Sequence, residues 1–224
     1  MEIDNRVKAY LAKVLYESGM VKESAQFIRE LVAEKFVFQG DSRELVFHVW
    51  RSLVNPMRTT VATLKDIENY NENQEIAIRA ISKEIKTNSE EVISMLKEHL
   101  IPNSPDDCTS GIYYRGLGDF QRYLTEVTEG EEKDALIKES QSSYEQALKL
   151  LFQFKDARIE LYLSTVLNLG ILYGDVVLDK KKAYDTVYQI HHSEVQGLAK
   201  HSEEARARIK DILDLMESSL ERWQ

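Results

Sequence analysis

A chain of 224 residues with 43% hydrophobic and 30% charged side chains has the apolar content for a packed core and is not a disordered chain. Its formal net charge of −9 argues against non-specific nucleic-acid binding, which needs a basic surface, and suits basic or phosphorylated peptide partners. No stretch approaches about 18 consecutive apolar residues and the N-terminus lacks a cationic region followed by an apolar core, so the expectation is no membrane association and a cytoplasmic, or also nuclear, location.

Three prolines and nine glycines leave few helix breakers, and no run alternates apolar and polar residues, so the chain reads as nearly all helix. The first helix is expected over residues 4–18, with Val7, Leu11, Val14 and Leu15 on one face and Gly19 at its end. A second covers 21–35. Asp41 and Glu44 have capping-box spacing, and the apolar pattern runs from there to Tyr70 as a long third helix with Pro56 in its middle. The polar stretch 68–75 reads as a turn. A fourth helix covers 74–100 and stops before Pro102, because a residue preceding proline is pushed out of helical geometry. The fifth spans 109–129 and ends near Gly130, the sixth 132–154, the seventh 158–178, the eighth 180–199 and the ninth 202–223. Short links imply antiparallel neighbours.

The fifth helix anchors the chain. Phe120, Tyr123, Leu124 and Val127 make one apolar stripe, and Arg122 interrupts it. A buried guanidinium without a partner costs several kcal/mol, so the chain has to supply an anion or bind one. Arg51 and Arg58, seven residues apart, return to nearly the same face of the third helix roughly 10 Å further along. Were the two helices packed side by side, three guanidiniums and the Tyr123 hydroxyl could converge on one small anion, as arginine forks grip phosphate. Taken singly, each arginine also fits an ordinary solvated or ion-paired surface.

Catalytic readings find no support. The sequence lacks a Walker loop, Gly-x-Ser-x-Gly, Cys-x-x-Cys and His-Glu-x-x-His, and no cofactor is implied. His191 and His192 with Glu194 suit a metal poorly, because adjacent helical residues point about 100° apart. The single cysteine, Cys108, excludes an intrachain disulfide and fits a reducing compartment.

The run from Gly118 through Asp119, Arg122, Tyr123, Leu124 and Glu126 to Val127 resembles the fifth-helix motif of the 14-3-3 proteins, adaptors for phosphoserine and phosphothreonine peptides. Leu100-Ile101-Pro102-Asn103, Gln141 to Ala147, Leu167-Asn168-Leu169 with Asp175, and Leu220 to Trp223 resemble other segments of that family in the same order. The similarity is strong from about residue 42 to 223 and weak before it. It implies an all-α fold of nine antiparallel helices in one right-angled, groove-forming bundle. That bundle would be a single 14-3-3-like domain over 1–224, with residues 1–100 bearing the dimerisation surface and 101–224 most of the groove.

The resemblance also implies residue roles. Arg51, Arg58, Arg122 and Tyr123 would hold the phosphate. Asn168 would bind the ligand's main chain, and Asp175 would orient a phosphate-binding arginine or the peptide. Leu167, Ile171, Ile212 and Leu215 would form an apolar wall, a pattern that by itself equally describes ordinary core. Trp223 would close that wall and could donate its indole hydrogen to the peptide.

The departures are specific. Arg51 stands where the family has lysine, Met57 where a second arginine precedes Arg58, and Leu117 where lysine is usual, while Arg115 keeps a nearby charge. Pro56 falls between Arg51 and Arg58. Ser219 occupies the place of a second peptide-binding asparagine. The family usually carries an acidic tail beyond the position of Trp223; this sequence stops at Gln224, either truncated or without that tail.

Partners are expected to be phosphorylated client proteins, bound without catalysis. The alternative is a divergent helical scaffold, tetratricopeptide-like or a pseudo-adaptor, that binds unphosphorylated acidic peptides or its own chain. Leu15, Glu17, Ala77 and Ala80 depart from the family's dimer contacts, which implies a homodimer with a weakened or atypical interface.

Overall fold

The computed structural model describes residues 3–40, 42–67, 71–155, 157–197 and 202–224. Among them the chain forms nine α-helices and no strand: α1 (Asn5–Glu17), α2 (Val21–Ala33), α3 (Ser42–Lys65), α4 (Glu72–Met95), α5 (Asp107–Leu124), α6 (Gly130–Leu151), α7 (Ile159–Ile171), α8 (Lys180–Gly197) and α9 (Glu203–Trp223). The all-helical expectation therefore stands, with adjusted ends.

Local chemistry explains where helices start. Asp4 caps α1 by accepting from the Arg6 N–H at 2.7 Å, and Asn71 and Gln74 form a reciprocal capping box at the start of α4. Asp106 caps α5 by accepting from the Thr109 N–H at 2.7 Å. The cap expected at Asp41, and the ends expected at Tyr70 and Ala199, lie outside the described residues.

Three helix ends differ from the sequence expectation. α4 and α7 finish in single π turns, Leu96–Leu100 and Leu172–Val176, where N–H groups bond five residues back: Ile101 to Leu96 and Val177 to Leu172, both 3.0 Å. α5 stops at Leu124, five residues early, because Thr125 and Thr128 turn their hydroxyls back onto the carbonyls of Arg122 and Leu124 at 2.6 and 2.7 Å.

Every residue of α5 from Gly116 to Leu124 is buried, which makes it the central rod of the bundle. Two glycines permit this. A Cβ on Gly116 would lie 1.9 Å from the Phe47 ring of α3, and one on Gly118 would lie 2.8 Å from Tyr144 of α6. The Ser140 hydroxyl closes the same α5–α6 seam by donating to the Gly118 carbonyl at 2.8 Å.

Pro56 sits within an uninterrupted α3, and its carbonyl accepts from the Thr60 hydroxyl at 2.8 Å. Arg51 pairs with Asp119 and Arg58 with Glu126, so positions on the two segments rise together and α3 runs in the same direction as α5. That pair is parallel, as alternation of antiparallel neighbours along the chain requires of next-but-one helices.

The stripe expected on α1 is not core. Ala12 is the buried residue of that helix, whereas Val7 is 48% exposed and neighbouring Tyr10 is 67% exposed.

Candidate anion-binding groove

Asp119 is the hub. Its side chain is 1% exposed, and three different helices donate to it: Arg51 Nη2 from α3 to Oδ2, the Tyr144 hydroxyl from α6 to Oδ1 (2.7 Å), and Asn168 Nδ2 from α7 to Oδ1 (2.8 Å). Burial works to raise this carboxyl's pKa, but the charges of Arg51, then Arg115 and Arg122, hold it below the usual carboxylate range. Tyr144 is pushed the other way, first by burial and then by Asp119, so it keeps its proton and donates it.

Arg122 lies one turn along α5 from Asp119 and is 9% exposed. Its Nε donates to the Tyr144 hydroxyl oxygen at 3.2 Å, which leaves its positive charge facing a neutral group and the shared Asp119. The buried ring of Tyr123 is flanked by two guanidiniums, Arg58 at 3.8 Å and Arg122 at 5.0 Å from its centroid. Arg58 is held at the rim. Its Nε and Nη2 donate to the two oxygens of Glu126 at 2.7 and 2.5 Å, and its Nη1 donates to Asn55 at 2.9 Å.

Arg115 adds a fourth positive charge on the same face of α5. Its Nε is buried without a hydrogen-bond partner, and burial, then the neighbouring Arg51, draw its pKa below the usual guanidinium value.

The other end of the groove is built differently. Asp175, in the π turn after α7, accepts from Arg222 Nη2 and from the Trp223 indole N–H, both at 3.0 Å. Asp175 thus orients Arg222 rather than an arginine of the α3–α5 cluster, and the indole hydrogen expected for a peptide is engaged within the chain. Trp223 is 3% exposed and packs onto Gly170 and Gly174, where a Cβ would come within 3.0 and 2.3 Å of it. Of the expected apolar wall, Leu167 is buried, Ile171 and Ile212 are half-buried, and Leu215 is 60% exposed. Ser219 is buried at 8% exposure.

The structure brings Arg51, Arg58, Arg122, Tyr123 and Asn168 into one connected network and places Asp175 and Trp223 in a second. Sequence reasoning had quoted Asp119, Glu126 and Tyr144 within motifs without giving them a task. The signal for Asp119 was its i,i+3 spacing to Arg122.

Elsewhere, no group of three or more His, Cys, Asp or Glu among the described residues is arranged to hold a metal, and no described helix is long and apolar enough to cross a membrane. His192 stacks on Tyr188 and pairs with Gln196 at 2.9 Å.

A buried carboxylate accepting from three helices, with arginines of the parallel α3 and α5 around it, is the polar centre of this all-helical structure. The 14-3-3 family model matches residues 11–224. Among curated proteins, 14-3-3 protein zeta of Bombyx mori is 21% identical over all of this chain and 93% of its own length. Protein BMH2 of Saccharomyces cerevisiae is 22% identical over 96% of this chain and 82% of its own length, and human 14-3-3 protein beta/alpha is 21% identical over 100% and 94%. The chain belongs to the 14-3-3 family, as a divergent member.

Proposed function

We propose that this chain is a non-catalytic adaptor that binds phosphoserine- or phosphothreonine-containing segments of client proteins in the groove between α3, α5, α7 and α9, the whole chain acting as one domain. The observation that carries the reading is Arg122: a guanidinium 91% buried, bonded through Nε to a hydroxyl and flanking the same tyrosine ring as Arg58. Asp119 supplies the opposing charge but shares it with Arg51, and a phosphate offers further charge and several acceptor oxygens to the same cluster. In a net acidic protein, attraction of that anion has to come from locally focused charge.

Arg51, Arg58, Arg122 and Tyr123 hold the phosphate in this reading, with Asn168 oriented by Asp119 toward the ligand's main chain. Leu167, Ile171, Ile212 and Leu215 supply apolar contact, of which Leu215 is the most available, and Asp175 braces Trp223 and Arg222 at the far end. Ser219 contributes little directly. We further propose a homodimer with a weakened or atypical interface through α1, whose exposed Val7 and Tyr10 offer apolar surface for it; sedimentation at micromolar concentration tests this, and a strict monomer, or a tight dimer with the family's usual interface, would remove it.

The test of phosphate recognition is calorimetry with a phosphoserine peptide pool of randomised flanks and its dephosphorylated twin. Arg122→Ala should weaken binding of the phosphorylated pool by about tenfold or more, the weight of one charge-assisted hydrogen bond. Equal binding of both pools by the wild-type chain would refute the reading.

A further inference from the structure

We propose that Glu126 is an internal ligand of the Arg58 guanidinium which an incoming phosphate has to replace, so that this carboxylate sets how strong an anion must be to occupy the site. The inference rests on the phosphate-binding reading above and adds its threshold.

Three of the five N–H donors of Arg58 are already engaged, and its whole Nε–Nη2 edge is taken by Glu126. Both Glu126 oxygens accept from it, Asn55 takes the Nη1 edge, and one face lies on Tyr123 at 3.8 Å. A phosphate can gain the side-on Nε–Nη2 fork of Arg58 only by taking the place of Glu126.

Two carboxylates pair directly with the cluster's arginines, and their positions differ in the way that matters. Asp119 is 1% exposed and held by donors from three helices, so its departure would leave Arg51 and Arg122 buried with no charge opposite. Glu126 is 35% exposed, sits past the end of α5 in a turn, and has Arg58 as its basic partner. Released, it moves into water. Glu126 is therefore the exchangeable carboxylate of the pair.

Charge counting favours the exchange for one kind of ligand. Arg51, Arg58, Arg115 and Arg122 against Asp119 and Glu126 leave two positive charges, and three once Glu126 is released, an excess that attracts a phosphoserine carrying about −1.5 to −2 more strongly than a singly charged carboxylate. A client carboxylate carries one charge and competes against a carboxylate tethered next to the site, whose effective concentration is on the order of millimolar or higher. Phosphate brings a second charge and a third oxygen for Arg122. Glu126 thus screens out acidic side chains that would otherwise enter the clamp.

The experiment compares the wild-type chain with Glu126→Gln and Glu126→Ala by fluorescence anisotropy. The probes are the labelled phosphoserine pool, the same pool with glutamate in place of phosphoserine, and the dephosphorylated pool; urea unfolding confirms that the variants stay folded. Both variants should bind the phosphoserine pool about two- to tenfold more tightly, the range of a forked, partly exposed ion pair, and the glutamate pool should gain by a comparable factor, while the dephosphorylated pool is unchanged. A wild-type chain indifferent to phosphate refutes the functional reading above, and the inference that rests on it falls with it. If the wild-type chain prefers phosphate and the folded variants bind equally or more weakly, Glu126 holds Arg58 ready for the ligand and the inference is overturned while the functional reading survives. If neither the wild-type chain nor the variants distinguish the pools, both fall.

Discussion

The α3–α5 seam and the α7–α9 seam solve one local problem in two environments. Each centres on an aspartate that accepts from an arginine and from a neutral donor: Asp119 from Arg51, Tyr144 and Asn168, and Asp175 from Arg222 and the Trp223 indole. Asp119 is 1% exposed and Asp175 is 37% exposed. Burial turns the first set of bonds into an obligation, because removing the carboxylate strands guanidiniums away from water. Exposure makes the second set a modest brace whose partners can turn to solvent instead. The same contact chemistry therefore fixes the charged end of the groove and only steadies the apolar end.

That contrast can be broken most severely at Asp119. Asp119→Asn should lower unfolding free energy by about 3–5 kcal/mol in urea titrations, since it removes one partner of a buried ion pair. The pH dependence sharpens the point. The folded-state pKa of Asp119 is depressed, so its stabilisation is fully present above its unfolded value of about 3.9 and is lost as pH falls through the lower folded value. Below about pH 4 the wild-type chain should lose more stability than the asparagine variant, which keeps only the share of other depressed carboxyls such as Asp106 and Glu139.

A smaller effect is expected at Gly174. A methyl group there meets Trp223 Nε1 at 2.3 Å, so Gly174→Ala should cost about 1–3 kcal/mol by displacing the indole, and tryptophan fluorescence should report the shift. Asp175→Asn should be the mildest, at most about 1 kcal/mol, because its ion pair is partly exposed. Equal losses for the two aspartate substitutions would show that the seams do not differ as their burial implies.

Much of this was legible in the sequence because helix breakers are few and the caps and apolar stripes are local signals. The arginine-bearing face of α3 was likewise local, a matter of seven-residue spacing across Pro56. What could not be read was long-range. The anion demanded by Arg122 comes partly from Asp119 on its own helix, but the groups that orient that aspartate, Tyr144 and Asn168, lie 25 and 49 residues further on. The engagement of Arg58 by Glu126 likewise joins residues 68 apart, which no local pattern reports. The stripe on α1 was correctly periodic yet outside the core, because periodicity reports an apolar face and not what covers it.

The π turns closing α4 and α7 bear on how the length of such chains can vary. Along an α-helix each residue turns the chain by about 100°, so losing one between Arg51 and Arg58 would swing one guanidinium away from α5. A π turn already holds one residue more than the α-helical path requires. Removing a single residue from 96–100 or 172–176 lets the remaining N–H groups bond four residues back while the flanking helices keep their phase. These two turns are the places inside the helical framework where a one-residue difference in length can be absorbed without re-registering the packed faces on either side. Since Asp175 lies in the second of them, variation there would exchange the brace on Trp223 while leaving the arginine cluster untouched.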